Sequence, residues 1–526
     1  MSLLKNSAVI GGLTLVSRVL GLVREALSAA FLGAGMANDA FQVAFRLPNL
    51  FRALFAEGAF ASAFVPMFNR TMAEAEAEGQ DGLRAAVVFA GQVLSVLFPF
   101  LVVFTLLMMF FASPIVTAMG GASPKGGQAT IDFAIILTRI TFPYLALISL
   151  VSLLGGILNS INRFWVNAAA PVLLNVCLIS GLLFFRGATK LETAHTQAIA
   201  VTVSGLAQLL WLMWSCQRAG VSLKLSVPRL TPEVKTMLLL ILPSAVGAGA
   251  VQINQVISSI LALRYLPEGS ISHLNYADRL YQLPLGLIGI GVGTAILPSL
   301  SRQIRGDNPD AAQHTQNRAI ELALMLAMPA AVAMVICAIP ITRGVFQYPH
   351  RAFGPLDTPI TAAALSGYCF GVPAYVMIKV LTPGFYARQD TKTPVRIAVF
   401  SMLVNLIGNL ILIWPLQIFG IAVSTSIAAW VNVGLLYYTL HKRGHFKVDA
   451  QLRRSILQIV SASAVMGIML LFLNPIVDPH LGNGFFERGV WLLVLIGSGG
   501  ATYLLSGLLL GAASWQTIKT QFLRRR

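Results

Sequence analysis

The sequence predicts an all-α integral membrane protein with about fourteen transmembrane helices. Three observations lead there. Of 526 residues, 56% are hydrophobic and only 11% charged, with a mean hydropathy of +0.76; soluble domains carry about 25% charged residues. Apolar runs of about 20 residues or more recur along the chain, separated by polar or Gly/Pro punctuation. The loops between them alternate in Lys and Arg density, as loops on opposite sides of a bilayer do.

The elements follow in order. The first span, 7–32, contains Arg18, Arg24 and Glu25. Its flank MSLLKNSAVIGG has one lysine and lacks a small-residue cleavage site, so it reads as a retained helix. The second span, 38–68, carries Asp39, Arg46, Arg52 and Glu57, with Pro48, Gly58 and Pro66. Spans at 84–113, 130–158, 165–185 and 194–216 complete a group of six. A second group lies at 236–264, 271–300, 318–345, 359–387, 395–415 and 418–440. Its second member holds Pro284, Gly286, Gly289, Gly291, Gly293 and Pro298. Proline removes a backbone donor, so both second members predict a kink beside a cavity, with plain helix packing as the competing reading. Spans 455–474 and 488–511 end the series.

With the N-terminus cytoplasmic, 23 Lys and Arg fall on the cytoplasmic side and 7 on the other, with 7 inside spans. That bias predicts an even span number and both termini in the cytoplasm. It also accounts for the net charge of +17 without nucleic acid as a partner. Cys177, Cys216, Cys337 and Cys369 are widely spaced in apolar runs and form neither a disulfide framework nor a metal motif. HExxH, Walker A and GxSxG motifs are absent, which argues against an enzyme and against a self-powered ATPase pump.

A faint repeat pairs Pro143 with Pro373, Asn175 with Asn405 and Lys5 with Lys235, each 230 residues apart. Six spans per block keep both copies in one orientation, which makes the repeat parallel. The expected division is an N-lobe over 1–222, a C-lobe over 223–448 and a C-terminal pair of helices over 449–526.

Ionisable groups at membrane depth are costly and persist where they face protein or water. Arg18 and Arg24 are six residues apart, and Arg46 and Arg52 repeat that spacing. Such pairs suit a cavity for an anion, because guanidinium binds phosphate oxygens bidentately. Glu25 is a charge partner near the Arg18 stripe. The competing reading has these arginines snorkelling at helix ends or pairing with Asp39 and Glu57. In the second block Asp278 and Arg279 point about 100° apart, so Arg279 is available as that block's cation. Lys379 and Arg139 are further cavity candidates. Asn405, Asn409 and Thr425 offer oxygen ligands for Na⁺, against interhelical hydrogen bonding as the plainer reading.

SRVLGLVREALSAAFLGAGMANDAFQVAFRLPNLFRALFAEGAFASAFVPMF closely resembles the N-terminal signature of the MurJ (MviN) lipid II flippases. YADRLYQLPLGLIGIGVGTAILPSLS and PGFYARQDTKTPV resemble two further segments of that family. The resemblance covers essentially the whole chain and implies the MATE-like fold of the multidrug/oligosaccharidyl-lipid/polysaccharide exporter superfamily. It implies two six-helix lobes around a cationic cavity. It further implies flipping of lipid II, the undecaprenyl-pyrophosphate-linked peptidoglycan precursor, across the bacterial inner membrane by alternating access. The family's essential cavity arginines fall on Arg18, Arg24, Arg52 and Arg279. Its gate acids fall on Asp39 and Glu57, and the last two helices form a groove for the lipid tail. Implied partners are lipid II, membrane lipids and the peptidoglycan synthesis machinery. No cofactor is implied; membrane potential or a monovalent cation is the expected energy source. Asn409 stands where sodium-binding relatives have aspartate, which counts against a sodium site. The alternatives are a flippase for another polyprenyl-linked glycan, a multidrug antiporter, or a membrane enzyme acting on prenyl pyrophosphates.

Overall fold

The structure, a computed structural model, describes residues 3–52, 59–120, 127–306, 308–482 and 484–511. Among the described residues every regular element is helical. The chain divides into two compact units, Met1–Ser272 and His273–Arg526.

The first unit contains α1 (Leu3–Phe31), α2 (Met36–Phe51), α3 (Ala59–Ala77), α4 (Gly82–Phe110) and α5 (Ala112–Gly120). It continues with α6 (Gln128–Thr141), α7 (Pro143–Ser160), α8 (Phe164–Phe184), α9 (Lys190–Gln217) and α10 (Pro232–Tyr265). Local chemistry sets the ends. Asp81 accepts from the Arg84 N–H at the start of α4, and Thr189 with Glu192 forms a capping box on α9. Gly33, at φ 73°, closes α1 in the left-handed conformation that glycine tolerates. α1 packs on α8, α2 on α6, and α3 on α4, α7 and α10. Arg264 at the end of α10 donates to the Ala118 and Met119 carbonyls at 2.5 and 3.3 Å, capping the carboxyl end of α5.

The second unit holds most of α11 (Ser270–Arg305), then α12 (Pro309–Ile336), α13 (Ala338–Phe346), α14 (Asp357–Cys369) and α15 (Val372–Tyr386). The long α16 (Lys392–Lys442), α17 (Ala450–Val477) and α18 (Phe485–Leu510) complete it. α17 packs on α12 and α18, around Cys337, Met466, Leu470, Val477, Leu481 and Leu495. Arg318 of α12 grips both oxygens of Asp449 at 2.8 Å, and Asp449 in turn caps α17.

Four spans expected as single helices are each in two pieces, and proline explains every break. Pro114 and Pro340 lie four residues after Phe110 and Ile336, where α4 and α12 end. The proline ring displaces the carbonyl four residues back. Pro143 and Pro373 open α7 and α15 in the same way. The pieces repeat in size: α4 and α5 have 29 and 9 residues, α12 and α13 have 28 and 9. The expected spans 395–415 and 418–440 are the two arms of α16, broken at Gln417, where φ is 50° and ψ −125°.

Large apolar side chains cover the outside. Phe110 is 77% exposed and Leu509 88%. Such a surface is an aggregation liability in water and a proper lipid contact in a bilayer. Among the described residues, nine helical stretches are long and apolar enough to cross a membrane. This is a multi-pass membrane protein.

Candidate functional site

α1 and α8 are fastened by polar side chains. Arg24 is buried; its Nη1 donates to Asn175 Oδ1 at 3.1 Å and its Nη2 pairs with Glu25 Oε1 at 2.5 Å. Asn175 donates back to the Ser17 carbonyl at 3.0 Å and to the Pro171 carbonyl at 3.2 Å. Arg24 and Glu25 therefore carry helix packing whatever else they do. Arg18 lies half-buried on the same helix, six residues earlier. On α2, Arg46 Nη1 donates to the Gln255 carbonyl of α10 at 3.3 Å, and Arg52 Nε donates to Asn49 Oδ1 at 2.8 Å. Arg139 is exposed in the last turn of α6. Glu57 lies outside the described residues.

Asp39 sits in the first turn of α2 and is buried. It faces the turn between α10 and α11. Its carboxylate accepts from the Gly269 N–H at 2.7 Å, the Ser272 N–H at 2.8 Å and the Ser272 hydroxyl at 2.6 Å. The two amides lie at the start of α11, where a helix's N–H groups lack internal acceptors and favour negative charge. The arrangement is reciprocal. Glu268, in that turn, accepts from the Met36 N–H at the start of α2 at 2.6 Å. Each acid caps the opposite helix. Gly269 has φ 89°, and a Cβ there would lie 3.1 Å from the Ala34 carbonyl oxygen, so the close approach needs glycine. A small pocket lined by Asp39, Thr130, Pro267 and Glu268 lies beside this latch. The sequence reading named Asp39 and missed Glu268. The string Pro267-Glu268-Gly269-Ser270 does signal a helix start, but a partner 232 residues away leaves no local signal.

In the second unit, Asp278 accepts from Gln282 Nε2 at 2.5 Å, and Arg279 lies half-buried beside it on α11. Tyr281 stacks obliquely with Tyr368 and Tyr375 at 5.1 and 5.5 Å between ring centres. Lys379 is exposed on α15.

The structure does bring Asn405, Asn409 and Thr425 together. Asn405 Nδ2 donates to Thr425 Oγ1 at 3.1 Å, Asn409 Nδ2 to Asn405 Oδ1 at 2.9 Å, and the Ser424 hydroxyl to the Asn405 carbonyl at 2.9 Å. Thr425 donates to the Ile421 carbonyl at 3.0 Å. α16 contains no acid. These hydrogen bonds clamp the two arms of α16 together. Among the described residues no group of three His, Cys, Asp or Glu is placed to hold a metal ion.

Against known proteins, the profile of the family described as Lipid II flippase MurJ matches residues 28–491. A probable lipid II flippase MurJ of Rhizobium tropici is 39% identical over 532 residues, spanning 100% of this chain and 98% of that protein. The chain belongs to the MurJ lipid II flippase family. A probable MurJ of Rhizobium meliloti is 42% identical over 476 residues, covering 89% of this chain and 86% of that protein. Among solved structures, lipid II flippase MurJ in an inward closed conformation aligns with a TM-score of 0.77 at 24% identity, over 98% of this chain and 99% of that one. An inward-facing MATE family multidrug transporter of the MOP superfamily aligns at 0.65 and 16% identity, over 83% and 98%. These likenesses give the fold, which is the MATE-like one expected. The MurJ family is one of transporters, not enzymes.

Proposed function

We propose that this chain is a lipid II flippase of the bacterial inner membrane. It moves the undecaprenyl-pyrophosphate-linked peptidoglycan precursor from the cytoplasmic to the periplasmic leaflet by alternating access. The observation that carries this reading is the end-to-end match to MurJ relatives in a chain that keeps arginines inside its apolar helices. About fourteen spans, both termini cytoplasmic, form an N-lobe over 1–222, a C-lobe over 223–448 and a tail-groove pair over 449–526.

Arg18, Arg24, Arg52 and Arg279 bind the pyrophosphate, each through charge-assisted hydrogen bonds of about 1.5–3 kcal/mol. Arg46, Lys379 and Arg139 add positive potential. Asp39 and Glu57 are gate acids; Glu25 and Asp278 hold the cations in place. The membrane potential, worth about 2.3 kcal/mol per charge per 100 mV, drives the cycle.

The test is leaflet accessibility of lipid II in cells depleted of the native flippase and supplied with this gene. Wild type should deliver lipid II to the periplasmic face, and Arg18→Ala or Arg279→Ala should leave it inside at normal protein levels. Arg→Lys at either position should retain partial delivery. Normal growth on both alanine variants would overturn the pyrophosphate role. Accumulation of a different lipid-linked glycan inside would redirect the substrate.

A further inference from the structure

A second cationic feature lies in the second unit, on α18. Arg488, in the first turns of α18, is 2% exposed. None of its Nε, Nη1 and Nη2 atoms donates to a protein acceptor. Its guanidinium carbon lies 4.4 Å from the centre of the Tyr348 ring, which with its hydroxyl is a polar but neutral neighbour and brings no negative charge. A buried charge is retained where something pairs with it.

The surroundings do not supply that pair. α13 lies against α18: a Cβ on Gly344 would meet the Leu492 side chain at 2.8 Å. One residue before Gly344, Arg343 is already paired with Asp478. Glu487 is engaged by His480 at 3.2 Å, and His480 stacks on Trp491. Arg343 Nε is also buried without an acceptor. α18 begins at Gly484 with no side-chain cap, so its first amides add positive potential. On the outer side, Phe486 is 83% exposed and Leu493 70%, an apolar flank on the same helix.

We propose that Arg488 anchors a second anion site, at the end of the α17–α18 hairpin, which takes a phosphate group. A planar guanidinium fork with nearby helix amides matches phosphate oxygens. The apolar flank of α18 suits the acyl chains of a lipid carrying that phosphate. The phosphate belongs either to an anionic phospholipid headgroup or to inorganic phosphate.

The full-length protein in nanodiscs separates these. Unfolding is followed by tryptophan fluorescence in phosphatidylcholine discs, in discs containing phosphatidylglycerol, and in phosphatidylcholine discs with inorganic phosphate against chloride of equal ionic strength. Wild type should gain roughly 2 °C or more in one arm. A rise with phosphatidylglycerol identifies a headgroup, and a rise with inorganic phosphate a soluble ion. Arg488→Gln should lose most of that rise. Arg488→Lys, which keeps the charge on a fold that has lost only the fork, should show a reduced rise. No rise in wild type, or an undiminished rise in both variants, overturns the site. The readout does not involve lipid II, so it stands or falls apart from the flippase reading.

Discussion

At Arg24 helix packing and the proposed pyrophosphate contact fall on one side chain. It is 8% exposed, paired with Glu25 and hydrogen-bonded to Asn175 across α1 and α8. Arg24→Ala withdraws the cation nearest a buried carboxylate, which typically costs about 3–5 kcal/mol. Glu25→Ala does the converse. The double change removes both charges, so a thermal-melt cycle should show strong coupling, with the double variant more stable than the sum of the singles predicts. The same proteins then separate packing from substrate binding. If the double variant regains stability and still fails to deliver lipid II, Arg24 contacts the pyrophosphate; if delivery returns with stability, it serves only α1 and α8. The sequence located Arg24 by its cost in a membrane. It offered no means of choosing between these roles, because Asn175 lies 151 residues away.

Elements were legible where the rule is local. Apolar length located the spans, while Pro143 and Pro373, read as marks of the repeat, also open breaks that recur in both units. Pro114 and Pro340 gave the same signal without being read, because hydropathy continues undisturbed across them. The break of α16 at Gln417 is held by close packing three residues on. A Cβ on Gly420 would lie 2.2 Å from the Leu412 carbonyl oxygen, which is backbone and cannot swing away. Gly420→Ala should therefore lower the melting temperature by several degrees, for a cost of about 1–3 kcal/mol. A melt within error of wild type would show that the turn relaxes.

The loop beside that helix carries a pH response. Asp390 lies in the turn between α15 and α16, outside the spans. Hydrogen bonds from Thr393 and Arg443 hold its carboxyl well below the usual carboxylate range. Its contribution to stability is complete above about pH 4 and is lost as pH falls below that. His445 follows α16. Burial, with Arg388 and Arg443 nearby, lowers its pKa, so the fold resists the proton that the unfolded chain takes up below about pH 6.5. Both groups weaken the fold on acidification, in separate windows. Melts from pH 7.5 to 5 should decline, and His445→Gln should flatten that decline; Asp390→Asn should leave it intact and act only lower.

On the scale of the molecule, a flippase must expose its site to one leaflet and then the other. If Asp39 is the gate acid proposed above, the latch between the α1–α2 turn and the α10–α11 turn is the contact that such a cycle breaks and remakes. Asp39 and Glu268 each cap the other's helix, so opening releases four acceptor contacts together and closing restores them together. A discrete, cooperative contact of this kind favours two states over a continuum. It is also testable by trapping. Gly35 has φ 176°, an extended conformation any residue adopts, and a Cβ there would lie 3.5 Å from Glu268 Oε1. Gly35→Cys with Glu268→Cys, in a chain whose four native cysteines are replaced by alanine or serine, places two thiols within reach of a short bifunctional maleimide. Linked with a reducible spacer, the protein should bind lipid II and fail to deliver it, and cleavage of the spacer should restore delivery. The single-cysteine variants, treated identically, should transport unchanged by reagent. Full delivery by the linked protein would mean that these turns stay joined throughout the cycle and that the gate lies elsewhere.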